Sequence, residues 1–235
     1  MSSGDLFDHT LKVGSNLMVV GPSGSGKSWL CSDIIRRRDE LFVPKIERII
    51  YSYQEWQPEL FGRMKEYAPQ MEFVKGFEWD IPEGNTIPTL LFIDDAMELA
   101  VKDKTIEKLF CKWSHHRAIF SVLLAQSMFY PGFQVLARNA KYICLFRFVK
   151  DGGFINILGR QLNYGKSCPC IQEAYKCCTT DRPFGYLWID CSNEQKEDFR
   201  YRSSVFPDED CILYAKRWVA QTGLRQCGGR PPPGF

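Results

Sequence analysis

The chain has 235 residues, of which 45% are hydrophobic and 25% charged, with a formal net charge of +2. That length fits one large α/β domain, or one domain with a modest appendage, and the composition is that of a globular protein rather than a disordered or fibrous one. A charge so near zero does not mark the whole molecule as a nucleic-acid binder, so any DNA contact has to come from a local patch or from several subunits around a duplex.

Residues 1–12 read as a lead-in, and MSSGDLFDHT lacks the basic flank and apolar core of a secretory signal. SNLMVV (15–20) is a short apolar run that stops at a glycine-rich turn, as a buried parallel strand does. Residues 28–38 are expected to be a helix closed by Arg36, Arg37 and Arg38, with cations at its negative end. KIERIIYSY (45–53) is the next strand, and 72–75 a short edge strand. Pro82, Gly84 and Pro88 mark a loop before the apolar run TLLFI (89–93). Ile106, Leu109, Phe110 and Trp113 give 103–117 a helical stripe, with His115 and His116 at its end. AIFSVLLA (118–125) and KYICLFRF (141–148) are two more apolar strands, and Ile155, Leu158 and Leu162 predict a helix over 153–162. The stretch 163–183 is expected to be a cysteine-rich loop, 184–191 a late strand, and 216–235 a flexible tail ending in CGGRPPPGF.

Strands alternating with helices in this way predict an α/β fold with a mostly parallel central sheet and helices on both faces. No apolar run reaches the length of a membrane span. Cys31, Cys111, Cys144, Cys191 and Cys211 stand among apolar neighbours and are expected to be reduced core thiols of a soluble protein in a reducing compartment.

The chemistry concentrates at Gly21, Pro22, Ser23, Gly24, Ser25, Gly26, Lys27 and Ser28, the complete G-x-x-x-x-G-K-[ST] octet between a strand and a helix. Glycines let successive N–H groups turn inward around a phosphate, and the helix N-terminus adds favourable potential. Lys27 supplies a charge for the β- and γ-phosphates of ATP, and Ser28 an oxygen for Mg²⁺. Leu90-Leu91-Phe92-Ile93-Asp94-Asp95 is an apolar strand ending in two acids, the Walker B form. Asp94 is the expected Mg²⁺ carboxylate, and Asp95 the group that polarises the attacking water, with Glu98 one turn on as its rival. Gln126, at the tip of AIFSVLLAQ, can sense the γ-phosphate or orient water.

GPSGSGKS, LLFIDDAM, and His115-His116-Arg117 running into IFSVLLAQSMF together resemble the FtsK/HerA superfamily, within it the poxvirus-type genome-packaging ATPases as in Maverick/Polinton elements and adintoviruses. The resemblance continues through Arg138-Asn139-Ala140, Leu158-Gly159-Arg160-Gln161, Phe184 to Asp190, and Tyr201-Arg202, and covers residues 13–215 as one P-loop ATPase domain. It implies a P-loop NTPase fold of the RecA-like, additional-strand type, in which the strands before Gly21 and Asp94 are not neighbours. It also implies a homo-oligomeric ring that hydrolyses ATP to translocate double-stranded DNA into a capsid, with a capsid or portal partner, inside an infected host cell. An arginine finger offered to a neighbouring subunit is part of that picture, and Arg138 and Arg147 are both candidates. The Asp-Asp pair departs from the Asp-Glu of many superfamily members.

Two further features stand apart. Cys168-Pro169-Cys170 with Cys177-Cys178 departs from paired C-x₂-C zinc spacing, and free loop thiols are expected. Lys141, Arg147, Lys150, Arg160 and Lys166 face one acid, Asp151, and form the best local basic patch for phosphates. A nucleoside or nucleotide kinase also joins a P-loop to an α/β core, but leaves a water-polarising acid and a strand-tip glutamine without a task. A non-packaging HerA-like DNA translocase is a second alternative. A GTP switch would need an N-K-x-D element, which the sequence lacks.

Overall fold

The computed structural model describes residues 9–94, 104–130, 133–162, 169–215 and 225–226. The chain divides into two compact units, Met1–Cys144 and Leu145–Phe235.

The first unit contains, in chain order, β1 (Leu11–Lys12), β2 (Asn16–Val20), α1 (Lys27–Arg36), α2 (Arg38–Leu41), β3 (Phe42–Val43), β4 (Arg48–Tyr53), α3 (Pro58–Tyr67), β5 (Glu72–Lys75), β6 (Thr89–Ile93), a helical stretch α4 over 105–116, β7 (Ile119–Ala125) and α5 (Gln134–Asn139). The middle of α4, Leu109–Trp113, is π-helical. β1 and β3 pair in parallel as a separate ribbon. The main sheet runs β2-β7-β6-β4-β5, every pair parallel.

β7 therefore lies between β2 and β6: Ser121 pairs with Asn16 on one side and with Leu91 on the other. The strands before Gly21 and Asp94 are not neighbours, as the additional-strand arrangement predicts. Every residue of β2, β6 and β7 is buried, which is why these segments read as unbroken apolar runs rather than as an alternation. The polar exceptions are paired. Asn16 donates to Phe110 O at 3.0 Å and accepts from Lys141 N at 2.7 Å, and Ser114 and Ser121 share a hydrogen bond of 3.0 Å. Buried polar groups left without such bonds cost more than the bonds contribute, so this pairing fixes the register of β2. β5 forms the edge, and the Arg48 guanidinium clasps Glu72 across it at 2.6 and 2.9 Å. That clasp holds the Glu72 carboxyl below its ordinary range.

Helix α3 corrects a gap in the sequence reading. Pro58 and Gly62 punctuate the segment, yet Pro58 starts the helix, where a missing N–H is harmless, and Leu60, Phe61 and Met64 form its buried stripe. Arg63 of α3 lies 4.5 Å from the ring centre of Trp29 and 3.9 Å from Asp33 Oδ1, tying α3 to α1.

β8 (Tyr142–Phe146) straddles the division between the units. The second unit continues with α6 (Phe154–Leu162), α7 (Pro169–Thr180), β9 (Tyr186–Asp190), β10 (Tyr201–Arg202), β11 (Leu213–Ala215) and β12 (Arg225–Gln226). β10 is antiparallel to both β9 and β11, and β12 adds in parallel to β11. Helix α7 overturns the expected loop over 163–183. Cys170, Ile171, Ala174, Tyr175 and Cys178 are buried at helical spacing, so both cysteines pack here as small apolar residues of an amphipathic helix. β12 falls within the stretch 216–235 expected as a tail, whose other residues lie outside the described ones. The blocks Phe184–Asp190 and Tyr201–Arg202 are brought together as one antiparallel pair, Trp188 opposite Arg202. Asp190 ends β9 buried, accepting from Ser192 N at 2.9 Å, Ser192 Oγ at 2.6 Å and Gln195 Nε2 at 3.0 Å, with Arg202 Nη2 at 3.6 Å.

Candidate functional site

The carboxyl ends of β2, β7 and β6 assemble the site. β2 delivers the chain into the glycine-rich turn, where Gly24 and Gly26 take φ of +73° and +101°. An L side chain is strained in that region, so the left-handed backbone demands glycine there. Gly26 caps α1, whose first turn carries no acid. The positive end of this ten-residue helix is thus left for an anion. Ser25 Oγ is buried in the turn with no hydrogen-bond partner among the described residues. A buried hydroxyl without a partner is costly, and a phosphate oxygen would satisfy it. Lys27 Nζ donates to Gly21 O at 2.7 Å and to Pro22 O at 2.9 Å, which keeps its charge over the turn.

β6 delivers the facing half. Asp94, the first residue past the strand, is 8% exposed. Its backbone N–H donates to Ser52 O at 2.9 Å. Ser28 Oγ donates to Asp94 Oδ2 at 3.3 Å, across 66 residues of sequence. The hydroxyl and the carboxylate expected to serve one metal ion are therefore in contact. Both are hard oxygen donors, the kind Mg²⁺ takes, so this pair fits that ion.

A second hydroxyl meets them. Tyr51 of β4 donates to Asp94 Oδ2 at 2.7 Å. Burial and the Asp94 charge push the Tyr51 phenol well above its ordinary range, so it stays neutral and donating. Burial, then Asp94, likewise raises the Cys31 thiol, one turn along α1 from Ser28, which leaves it protonated and unreactive. Sequence reasoning missed Tyr51. Its strand was anticipated, but the proximity to Asp94 depends on β4 lying beside β6.

Of the other anticipated residues, Gln126 directly follows β7. Gly21 N donates to Ala125 O at 3.1 Å, so Gln126 stands next to the start of the turn, with an exposed side chain. Asp95 and Glu98 lie outside the described residues. Arg138 is exposed in the last turn of α5 and, in the other unit, Arg147 is exposed just past β8. Lys150 and Arg160 are also exposed, Lys141 is half-buried, and Lys166 lies outside the described residues.

The cysteines divide. Cys31, Cys111, Cys144, Cys191 and Cys211 are free, as are Cys177 and Cys178. Burial pushes the Cys178 and Cys191 thiols up to about 12. Cys170 is disulfide-bonded, which corrects the expectation of a free thiol there. Cys168 lies outside the described residues, and among those described no group of three His, Cys, Asp or Glu side chains could hold a metal ion. No described helix is long and apolar enough to cross a membrane.

Neither a protein-family model nor a curated protein matches the chain. Solved structures do. The chain is similar to the DNA-packaging ATPase B204 from Sulfolobus Turreted Icosahedral Virus, with 16% identity, a TM-score of 0.50, and coverage of 79% of this chain and 96% of that one. It is also similar to the cytoplasmic domain of the Type VII secretion ATPase EccC of Thermomonospora curvata, with 12% identity and a TM-score of 0.51. That match covers 80% of this chain and 25% of EccC. The likeness is one of fold: an α/β protein built on a mostly parallel mixed sheet, as in these P-loop ATPases.

Proposed function

We propose that the protein is an ATP-hydrolysing motor that translocates double-stranded DNA, packaging a viral or virus-like genome into a capsid. The observation that carries the reading is the contact between Ser28 and Asp94, which sets the glycine-rich turn against the acidic strand tip. In this reading Gly21 to Ser28 cradle the triphosphate, and Lys27 bears on the β- and γ-phosphates. Ser28 and Asp94 would hold Mg²⁺, which when bound would neutralise charge developing on the transferred phosphoryl group. Asp95, or Glu98 in its place, polarises water, and Gln126 beside Gly21 orients it.

Translocation needs elements outside one active site. Arg138 and Arg147 are exposed, so either can serve a neighbouring subunit of a homo-oligomeric ring. Exposed Arg147, Lys150 and Arg160 supply phosphate contacts for a duplex. The fold likeness to B204, whose solved structure is that of a DNA-packaging ATPase, supports this choice among P-loop functions.

ATP turnover with and without linear duplex DNA tests the proposal. Turnover rises on adding DNA if the chain is a motor, whereas phosphoryl transfer to a small nucleoside, with no response to DNA, makes it a kinase. The base has its own test. Asp95→Asn is expected to keep ATP binding while turnover falls by about 10²-fold or more, the usual worth of a positioned base. Unchanged turnover in that variant would assign the role to Glu98.

A further inference from the structure

We infer that Tyr51 is a positioning residue for the metal-binding carboxylate. Its phenol holds Asp94 in place, so that the Ser28 hydroxyl can give up its own bond to Asp94 and turn to a divalent cation without the carboxylate swinging away. The inference rests on the nucleotide site proposed above and adds to it a residue outside both motifs.

Three observations carry it. The first is an inequality: Tyr51 donates to Asp94 Oδ2 at 2.7 Å, Ser28 to the same oxygen at 3.3 Å. A hydrogen bond to a carboxylate strengthens steeply as it shortens, so Tyr51 is the firm partner and Ser28 the exchangeable one. The second is the rigidity of the donor. The Tyr51 ring is fully buried, stacked on Phe92 at 5.4 Å and flanked by Phe61 at 5.3 Å and Phe73 at 6.0 Å. A ring clamped in this way has no rotamer freedom left to lose when it fixes the carboxylate. The third is that β4 grips Asp94 twice from adjacent residues. The Ser52 carbonyl accepts from the Asp94 backbone N–H at 2.9 Å, and the Tyr51 hydroxyl takes the side chain. Backbone and carboxylate are therefore set by one strand. A hydroxyl that orients a ligand oxygen in this way tunes the metal without touching it.

A phenol that served only to fill the core would need no such aim. Tyr51→Phe separates the two roles, because it keeps the clamped ring and removes the hydroxyl alone. The experiment titrates Mg²⁺ against the full chain in the presence of a fluorescent ATP analogue, following binding rather than turnover. Tyr51→Phe is expected to raise the Mg²⁺ midpoint about tenfold or more, with the affinity for the analogue in excess chelator changed by less than about twofold. Its kcat is expected to recover as Mg²⁺ is raised. A midpoint that does not move overturns the inference, and so does an equal loss of affinity with and without Mg²⁺, the mark of a merely structural hydroxyl. The wild-type arm keeps the two readings apart. If neither Mg²⁺ nor Lys27→Ala alters binding of the analogue by the otherwise intact chain, the nucleotide site itself fails, and Tyr51 with it.

Discussion

Lys27→Ala is expected to abolish measurable ATP turnover, a fall of at least about 10²–10³-fold, the cost of removing one preorganised donor from a developing charge. The fold should survive. Lys27 is only part-buried, and the two bonds it makes inside the turn contribute roughly 0.5–1.5 kcal/mol each. Thermal melts of the variant and the wild type should lie within a few degrees, while binding of an ATP analogue by fluorescence is lost. Lys27→Arg should not restore activity. A planar guanidinium cannot bond both the Gly21 and Pro22 carbonyls from the space of one ammonium group and still reach a phosphate. Turnover within a few-fold of wild type in Lys27→Ala would mean that the turn is a structural feature and not a phosphate cradle.

The second large effect falls on the opposite wall. Asp94→Asn preserves shape and removes the charge that would hold Mg²⁺ in the proposed site, and several kcal/mol of transition-state stabilisation would go with the ion. At 1.36 kcal/mol per decade, turnover should drop by about 10³-fold. Stability should move the other way or not at all. Asp94 is nearly buried, and the Tyr51 and Ser28 hydroxyls that donate to it are neutral and can also donate to an amide oxygen. Burying a carboxylate is costly, and an amide avoids that cost. The melting temperature of Asp94→Asn should therefore equal or exceed that of wild type, while Mg²⁺ ceases to strengthen nucleotide binding. A clear loss of stability with normal Mg²⁺ dependence would make Asp94 a structural residue. Read together, the two variants separate the walls of the site: Lys27→Ala loses nucleotide with or without Mg²⁺, whereas Asp94→Asn loses only the Mg²⁺-dependent part.

The glycine-rich turn and its flanks were legible because their physics is local. Positive φ at Gly24 and Gly26, a helix N-terminus free of acids and a lysine one residue inside it are all properties of ten consecutive residues. The buried strands were legible for a similar reason, since burial on both faces leaves an uninterrupted apolar run. Helices α3 and α7 were not. In α3, Pro58 and Gly62 imitate loop punctuation, and in α7 three cysteines imitate a metal site or a loop, although two of them, Cys170 and Cys178, pack as core residues. Side-chain volume and burial decided those segments, and a residue's chemical reputation does not report either one.

The sequence by itself determined the glycine-rich turn, the helix that follows it, and the acidic end of an apolar strand, because short-range sterics and dipoles do not depend on the rest of the chain. The gap between the strands before Gly21 and Asp94 was anticipated, but tertiary structure alone decided that β7 fills it and that β4 lies beside β6, which brings Tyr51 to Asp94. Strand order is set by how buried faces pack over separations of tens of residues, and no local pattern encodes that the phenol at position 51 points at the carboxylate at position 94.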